Sequence, residues 1–219
     1  MTFLIWALVI AMGLGIALRL RGQSATRLAL RGQYFADVAG LFDAPLIATA
    51  PTGFPRLSGR HQGALFDLQV VPDTLTYRKL PALWLLVTLA EPTAARATLD
   101  VMLRPRGVEP FSNFRDLPHQ ITLPAGFPED CAIRSDAPEA APPADLVLDH
   151  LRRLSPDLLK ELVIAPKGLR LVWLAEEADR TRYLAFRDAE MGRSPLPPAL
   201  LQPLLNALLR LRDDLKDLP

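Results

Sequence analysis

The chain has 219 residues, of which 50% are hydrophobic and 22% are charged, and its net charge is +1. This composition excludes a disordered chain and a chain embedded wholly in a membrane, and it allows one folded domain with a substantial core. Cys131 is the single cysteine, so an intrachain disulfide is excluded as well.

The first 21 residues are predicted to form a transmembrane anchor. Sixteen apolar or small residues, 3–18, lead directly into arginines, and as a helix they would be about 24 Å long, against a hydrocarbon core of about 30 Å. A cleaved export signal is disfavoured, because the run has no basic region before it and no small-residue cleavage site after it. A buried helix of a soluble core is the alternative. The predicted anchor side chains are Phe3, Leu4, Ile5, Trp6, Leu8, Val9, Ile10, Leu14, Ile16 and Leu18.

Basic residues lie on only one side of this run. Arg19, Arg21, Arg27 and Arg31 follow it, and no Lys or Arg precedes it. The positive-inside tendency therefore predicts an N-terminus outside the cell (inner) membrane and a cytoplasmic main domain, with these four arginines at the lipid headgroups. Without them, 21 basic residues face 24 acidic ones, a net charge of −3. A nucleic-acid partner would need a basic face and is not expected.

The next 23 residues, 22–44, are predicted to form a juxtamembrane amphipathic helix. Leu28, Phe35, Val38 and Phe42 fall near one face of such a helix, with polar residues between them. Residues 45–219 are then expected to form one soluble α+β domain.

The first half of that domain indicates short strands. Residues 64–71 alternate between apolar and polar side chains, and residues 82–90 are almost continuously apolar. Apolar runs at 98–104, 120–123 and 131–135 follow, with turn residues between them. Strands at this spacing predict a mainly antiparallel sheet.

The second half indicates helices and one hairpin. A helix is predicted over 145–154, followed by a short second helix that begins at Ser155, Pro156 and Asp157, the residue types of an N-cap and first turn. Residues 161–177 predict two strands joined at Pro-Lys-Gly, and the leucine stripe from Leu201 predicts a C-terminal amphipathic helix. The expected fold class is α+β: a single N-terminal transmembrane helix, then a mainly antiparallel sheet domain with about three helices.

No catalytic or metal-binding motif emerges from the residues that usually supply one. The three histidines lie in different predicted elements without metal-ligand spacing, so no metal or other cofactor is expected. Cys131 with a histidine would make a nucleophile and base, but a lone cysteine at the start of a strand is more often buried. The glycine-bounded stretch 58–63 has two interpretations, an anion-binding loop or a hairpin turn, and its lack of a phosphate-loop pattern favours the turn.

Two groups of arginines are candidates for binding a partner. They are Arg104 with Arg106, and Arg152 with Arg153. A solvated charged surface is the default interpretation for both groups.

These observations favour a non-catalytic, single-pass membrane protein that acts as an accessory, assembly or scaffold subunit. Membrane lipid and a membrane protein complex are its expected partners. One alternative is a lipid or apolar-ligand binding module, in which the sheet and the terminal helix enclose a pocket. A second alternative is an enzyme whose site converges from distant residues such as His61, Asp67, His119 and Cys131. An inverted topology would instead place the domain in the periplasm.

Overall fold

The computed structural model describes residues 2–74, 80–107, 109–186 and 189–218. Within these residues the chain is a mixed α+β fold with one nine-stranded sheet and four α-helices. The helices are α1 (Thr2–Gly32), α2 (Ala144–Arg152), α3 (Arg180–Phe186) and α4 (Pro198–Lys216). The strands are β1 (Asp43–Thr49), β2 (Pro55–His61), β3 (Ala64–Asp73), β4 (Ala82–Leu89), β5 (Leu99–Leu103), β6 (His119–Ile121), β7 (Cys131–Ser135), β8 (Leu159–Ala165) and β9 (Gly168–Glu177).

All neighbouring strands of the sheet are antiparallel, in the spatial order β1-β2-β3-β4-β9-β8-β5-β7-β6. The first four strands form a meander, and the β8–β9 hairpin is inserted between β4 and β5. This insertion places β5, β8 and β9 side by side near the middle of the sheet. All five residues of β5 and most residues of β8 are buried, so these two strands are covered on both faces.

The pairing register places two adjacent rows of opposite chemistry on the two faces of the sheet. One row of paired residues, here called the apolar row, crosses all nine strands and contains only aliphatic side chains. Its members are Ile47, Leu57, Leu68, Val87, Leu171, Leu162, Val101, Ile133 and Ile121. Each belongs to the face that contains the main hydrophobic core, called the helix face because α4 packs against β4 and β9.

The row next to it lies on the opposite face, because successive side chains of a strand alternate. This polar row consists of Leu46, Ser58, Asp67, Thr88, Arg170, Val163, Asp100, Arg134 and Gln120. Seven of its nine members are polar or charged, and the segment 104–118, which is described except for residue 108, covers its central part. We call this side of the sheet the loop face. It also carries a smaller apolar cluster around Trp84, Phe111 and Val172.

Most elements predicted from the sequence are confirmed. The strands expected at 64–71, 82–90, 98–104, 120–123 and 131–135 correspond to β3, β4, β5, β6 and β7, and the Pro-Lys-Gly hairpin corresponds to β8 and β9. The C-terminal amphipathic helix is α4. Its buried stripe is Leu201, Leu204, Leu205, Leu208, Leu211 and Leu215.

The structure corrects two helix predictions. The helix predicted from Ser155 is a single turn: the Ser155 carbonyl accepts hydrogen bonds from the Leu158 and Leu159 amides, and β8 begins at once. The amphipathic helix predicted in 22–44 is also wrong beyond Gly32, where α1 ends. Turns and a 3-10 helix (Ala39–Leu41) follow. Phe35, Val38 and Phe42 are buried without a helix, whereas Leu28, which lies on α1, is exposed, so the apolar spacing did not determine the conformation.

Two strands were not predicted, β1 and β2. β1 contains Pro45 and a register irregularity, and it lies exposed at one edge of the sheet. β2 begins at Pro55 and contains Gly59, where an added Cβ would lie 2.9 Å from the Phe42 Cβ. Pro45 is tolerated because β1 is an edge strand, and Gly59 allows the close approach of Phe42. Both residue types suggest turns when only the sequence is considered.

Helix α1 runs without a break across residue 21, where the sequence suggested the end of an anchor. Among the residues that the structure describes, no helix has both the length and the apolar character required to cross a membrane. The transmembrane span predicted over 1–21 is therefore not supported by the structure.

Candidate functional site

The centre of the loop face buries an unusual group of charged side chains. Asp100 on β5 is 3% exposed and Glu161 on β8 is completely buried. Glu161 accepts a hydrogen bond from the Ser112 hydroxyl and forms an ion pair with Arg170 on β9, at 3.1 Å between Oε2 and Nη2. Ser112 belongs to the segment 104–118, so this segment closes over the pair from above.

The two carboxyl groups hydrogen-bond to each other, and burial controls their protonation. Burial first, and then the negative charge of Glu161, raise the pKa of Asp100 to about 9, although Arg170 opposes this rise. Burial also raises the pKa of Glu161, but Arg170 and Ser112 favour its charged form. Asp100 is therefore protonated at neutral pH and donates to the Glu161 carboxylate.

A β-bulge places a further cation next to this pair. The register of β8 shifts between Leu159 and Glu161, and Lys160 is the extra residue. Its Nζ donates to the carbonyls of Leu103 at 3.0 Å and Arg104 at 2.6 Å, and it lies 3.1 Å from Glu109 Oε1. Burial lowers the pKa of Lys160, while Glu109 opposes that shift. The contacts with Arg104 and Glu109 hold the segment 104–118 against the sheet.

A cavity of about 530 Å³ adjoins the buried carboxyl pair. Asp100, Val163, Arg170 and Thr88, which are consecutive members of the polar row, lie along it. Its other lining residues are Thr98, Asn113, Asp116, Leu117, Ala165, Lys167, Gly168 and Leu169. The volume lies in the range of small-molecule sites in proteins. The lining offers hydroxyl, amide and charged groups next to aliphatic ones.

Two buried atoms of the residues along this cavity have no hydrogen-bond partner within the described parts of the chain. They are Asp100 Oδ1, an acceptor, and Arg170 Nε, a donor. Buried polar atoms in folded proteins are normally paired, so each of these calls for an explanation. The described residues contain no group of three histidine, cysteine or carboxylate side chains close enough to hold a metal ion.

No family model, no curated protein and no solved structure matches this chain. The candidate site must therefore be interpreted from its own chemistry.

The four arginines predicted to bind a partner are in different environments. Arg104 donates to the carbonyls of Pro156, Asp157 and Leu159. These bonds hold the turn before β8 and the first residue of that strand. The side chain of Arg106 is exposed, as are those of Arg152 and Arg153 at the end of α2. Partner binding by the last three stays a prediction, whereas Arg104 has a structural role that the sequence did not reveal.

The predicted anchor side chains lie along the first half of α1. Trp6, Leu14 and Leu18 are described, and they are 65%, 61% and 60% exposed. The side chains of the other seven lie outside the described part of the structure. They are Phe3, Leu4, Ile5, Leu8, Val9, Ile10 and Ile16.

The predicted headgroup arginines divide into two pairs. Arg19 and Arg21 are exposed on α1. Arg27 lies 3.3 Å from Glu190, and the Arg31 guanidinium lies 5.2 Å from the centre of the Phe54 ring. The second pair thus connects the end of α1 to the domain.

The residues considered for an enzyme site are not brought together. His61 Nδ1 lies 2.8 Å from the Leu41 carbonyl on the helix face, whereas Asp67 pairs with Arg56 at 2.7 Å on the loop face. Cys131 lies on β7, five strand spacings or about 24 Å from β3. Burial raises the pKa of its thiol to about 11, which makes it a poor nucleophile. The stretch 58–63 belongs to the β2–β3 hairpin, as its turn interpretation predicted.

Asp100, Lys160, Glu161 and Arg170 were not predicted as site residues from the sequence. A signal was present, because each interrupts an apolar strand, in LDVML, LKELVIA or GLRLVWLAEE. Charged residues are almost never fully buried unless they are paired. A charge inside a strand that is apolar on both faces could therefore have indicated this site.

Proposed function

We propose that the protein is a non-catalytic accessory, assembly or scaffold subunit of a membrane protein complex. In this proposal the first half of α1 attaches the chain to the membrane, and the α+β domain binds a partner on the cytoplasmic side. The observation that carries the proposal is the exposed apolar surface of α1. It rests on the sequence and exposure of that helix, not on a span seen in the structure.

The described apolar side chains in this half of α1 have little cover from the rest of the chain. Trp6, Met12, Leu14 and Leu18 are all more than half exposed. Contiguous exposed apolar surfaces in proteins commonly mark contact with a membrane or with another protein. Lipid fits this surface best, because arginines follow it directly and tryptophan favours the membrane interface.

The other end of α1 is fixed to the domain. The Arg27–Glu190 ion pair and the stacking of Arg31 over Phe54 hold it there, and the buried Tyr34 packs edge-on against Phe54 at 5.6 Å. A membrane-bound first half would therefore hold the domain close to the headgroups. The mildly acidic domain would then remain available to a partner with a basic surface.

Membrane attachment is tested by fractionation of cells that express the full chain. We expect the wild-type chain to sediment with membranes and to resist carbonate extraction. Leu14→Arg should shift it toward the supernatant, because a charge in the apolar surface opposes lipid contact. Leu184→Arg is the matched control, since Leu184 is an equally exposed leucine on α3, and it should leave the distribution unchanged. A wild-type chain that remains in the supernatant would contradict the attachment.

The subunit role is tested separately by purification in mild detergent. The proposal expects another membrane protein to copurify at fixed stoichiometry, and migration as a lone monomer would count against it. A phosphatase or a fluorescent reporter fused after Pro219 tests the orientation. Phosphatase activity at that end would contradict a cytoplasmic domain.

A lipid or apolar-ligand binding function is the second candidate, and one cavity favours it. This cavity, of about 420 Å³, lies where the end of α4 meets the loops before β5 and α2. Apart from Arg96 its lining is apolar: Ala94, Ala95, Ala140, Ala141, Pro142, Pro143, Leu215 and Leu218. Native mass spectrometry of the purified chain would support this function by showing bound lipid, and Ala141→Trp, which fills the cavity, should remove that lipid.

A further inference from the structure

The outer edge of β1 is an open edge of the sheet. Every residue of β1 (Asp43–Thr49) is exposed, and within the described residues β1 pairs with no strand except β2. Leu46 and Ile47, which lie on opposite faces, are 76% and 51% exposed. Natural sheets usually shorten or charge such an edge, because its free backbone groups can pair with another extended chain. The opposite edge, β6 (His119–Ile121), is short in this way, with three residues.

The hydrogen-bond pattern of β1 shows which backbone groups point outward. The Ala50 amide donates to the Phe54 carbonyl at 2.8 Å, so these two residues form a hydrogen-bonded pair next to β1 and β2. Because such pairs alternate along antiparallel strands, Ala48 also bonds to β2, whereas Ile47 and Thr49 direct their N–H and C=O groups away from it. Amides and carbonyls of Ile47 and Thr49 therefore line the outer edge.

These outward groups are complementary to a second copy of the same strand. When two copies of β1 run antiparallel about a two-fold axis at Ala48, Ile47 of each copy lies opposite Thr49 of the other. Both amides and both carbonyls of each strand are then satisfied. With the axis at Ile47 or at Thr49, the remaining residue would face Pro45 or Pro51, which have no amide to donate. The two prolines thus favour the register centred on Ala48.

The side chains near this axis favour the same register. Ala48 would face its own copy in a pair without mutual hydrogen bonds, where the Cα atoms are about 4.5 Å apart, and its small side chain allows this approach. The axis is perpendicular to the sheet, so the helix face of one copy continues in the helix face of the other. The two Ile47 side chains would lie diagonally across that face, roughly 7–8 Å apart, within reach of each other. The apolar row, which ends at Ile47 in one chain, would continue into the second copy.

The charges around this edge suit an identical strand better than a charged one. Arg56 and Arg60, which neighbour β1 on the loop face, pair with Asp67 at 2.7 Å and with Glu91 at 3.0 Å. Asp43 is the only charged residue of β1. In the Ala48 register the two copies of Asp43 would be more than about 30 Å apart, so salt screens their repulsion. A strongly charged strand from another protein would gain little from arginines that are already paired.

We propose that the outer edge of β1 binds a second copy of this chain, so that the two sheets join into one across a two-fold axis at Ala48. A single strand pair is a small interface, and small interfaces form weak, reversible complexes. We therefore expect a dimer with a dissociation constant roughly in the micromolar range. This dimer does not depend on membrane attachment, so its tests and those of the proposed function can fail independently.

The first test is disulfide cross-linking of the full chain, purified in mild detergent. All variants carry Cys131→Ala, so that the added thiol is the only one in the chain. With Ala48→Cys the two thiols should lie within disulfide range across the axis, and we expect a covalent dimer under mild oxidation. Gln120→Cys, on the exposed edge strand β6, is the matched control and should cross-link several-fold more slowly. Equal rates for the two variants would overturn the proposal.

The second test measures the mass of the full chain by light scattering over a range of concentrations. Thr49→Pro removes an outward amide from each copy without removing a bond to β2, and Ile47→Lys places like charges near each other. Each should raise the dissociation constant by about tenfold or more, while Gln120→Lys, on β6, should leave it unchanged.

Two results of this measurement would overturn the proposal. One is a wild-type chain that stays monomeric up to a roughly millimolar concentration. The other is a dimer that persists unchanged in both folded β1 variants, because the contact would then lie elsewhere, for example on the exposed apolar surface of α1.

Discussion

The apolar row and the polar row are neighbours in every strand, yet they are buried by different means. On the helix face, α4 covers aliphatic side chains, and burial itself supplies the stabilisation. On the loop face, an irregular segment covers charged groups, and each of these groups needs a partner or a proton. Lys160 pairs with Glu109, Arg170 pairs with Glu161, and Asp100 remains protonated.

This difference distinguishes a row buried through apolar packing from a row buried through pairing and protonation. Buried ion pairs seldom stabilise a protein more than apolar residues of the same volume would. Buried groups with shifted pKa values are instead common where ligands bind. The loop face is therefore the part of the sheet where buried charged groups adjoin a cavity. Substitutions on each face should therefore separate these two kinds of burial.

The largest effect is expected on the loop face from Lys160→Met. The change removes the cation from Glu109 and leaves the Leu103 and Arg104 carbonyls without their donor. Breaking a buried pair in this way should lower the free energy of unfolding by about 4 kcal/mol. Urea denaturation measures this, with Lys216→Met, at a mostly exposed lysine of α4, as the control. A Lys160→Met protein as stable as the wild type would contradict the structural role of the pair.

A somewhat smaller effect is expected on the helix face from Leu208→Ala. Leu208 is completely buried between α4 and the sheet, and its truncation leaves a cavity in an apolar environment. The free energy of unfolding should fall by about 3 kcal/mol. Leu184→Ala, at an exposed leucine, should change it by less than about 0.5 kcal/mol. Equal effects of the two variants would show that packing of Leu208 between α4 and the sheet does not stabilise the helix face.

The sequence predicted the helix face better than the loop face, for a physical reason. The stripe from Leu201 to Leu215 and the alternation in β3 depend only on local periodicity, which the sequence displays directly. The pairing of Asp100 with Glu161 depends on the insertion of the β8–β9 hairpin beside β5, which local patterns do not encode. The bulge at Lys160 and the contact with Ser112 depend on that same insertion. The sequence therefore revealed the elements but not the site.

A third effect concerns the rim of the loop-face cavity, at Gly168. A side chain there would collide with the Leu89 carbonyl oxygen of β4, because the two backbones approach closely. Gly168→Ala should therefore lower the free energy of unfolding by about 1–3 kcal/mol. Gly40→Ala has open space around it and is the control in the same denaturation experiment. An unaffected Gly168→Ala protein would mean that β4 and β9 can separate at this point without loss of stability.

The central claim is that Asp100 is a buried acid kept protonated beside Glu161 and Arg170. A pKa raised from 3.8 to about 9 in the folded protein stabilises the fold below the lower value, and this contribution is lost as the pH rises toward 9. The most direct measurement is the free energy of unfolding of the wild type and of Asp100→Asn across that pH window. We expect the wild type to lose stability relative to the variant by about 1 kcal/mol per pH unit. A difference between the two proteins that stays constant with pH would contradict the claim.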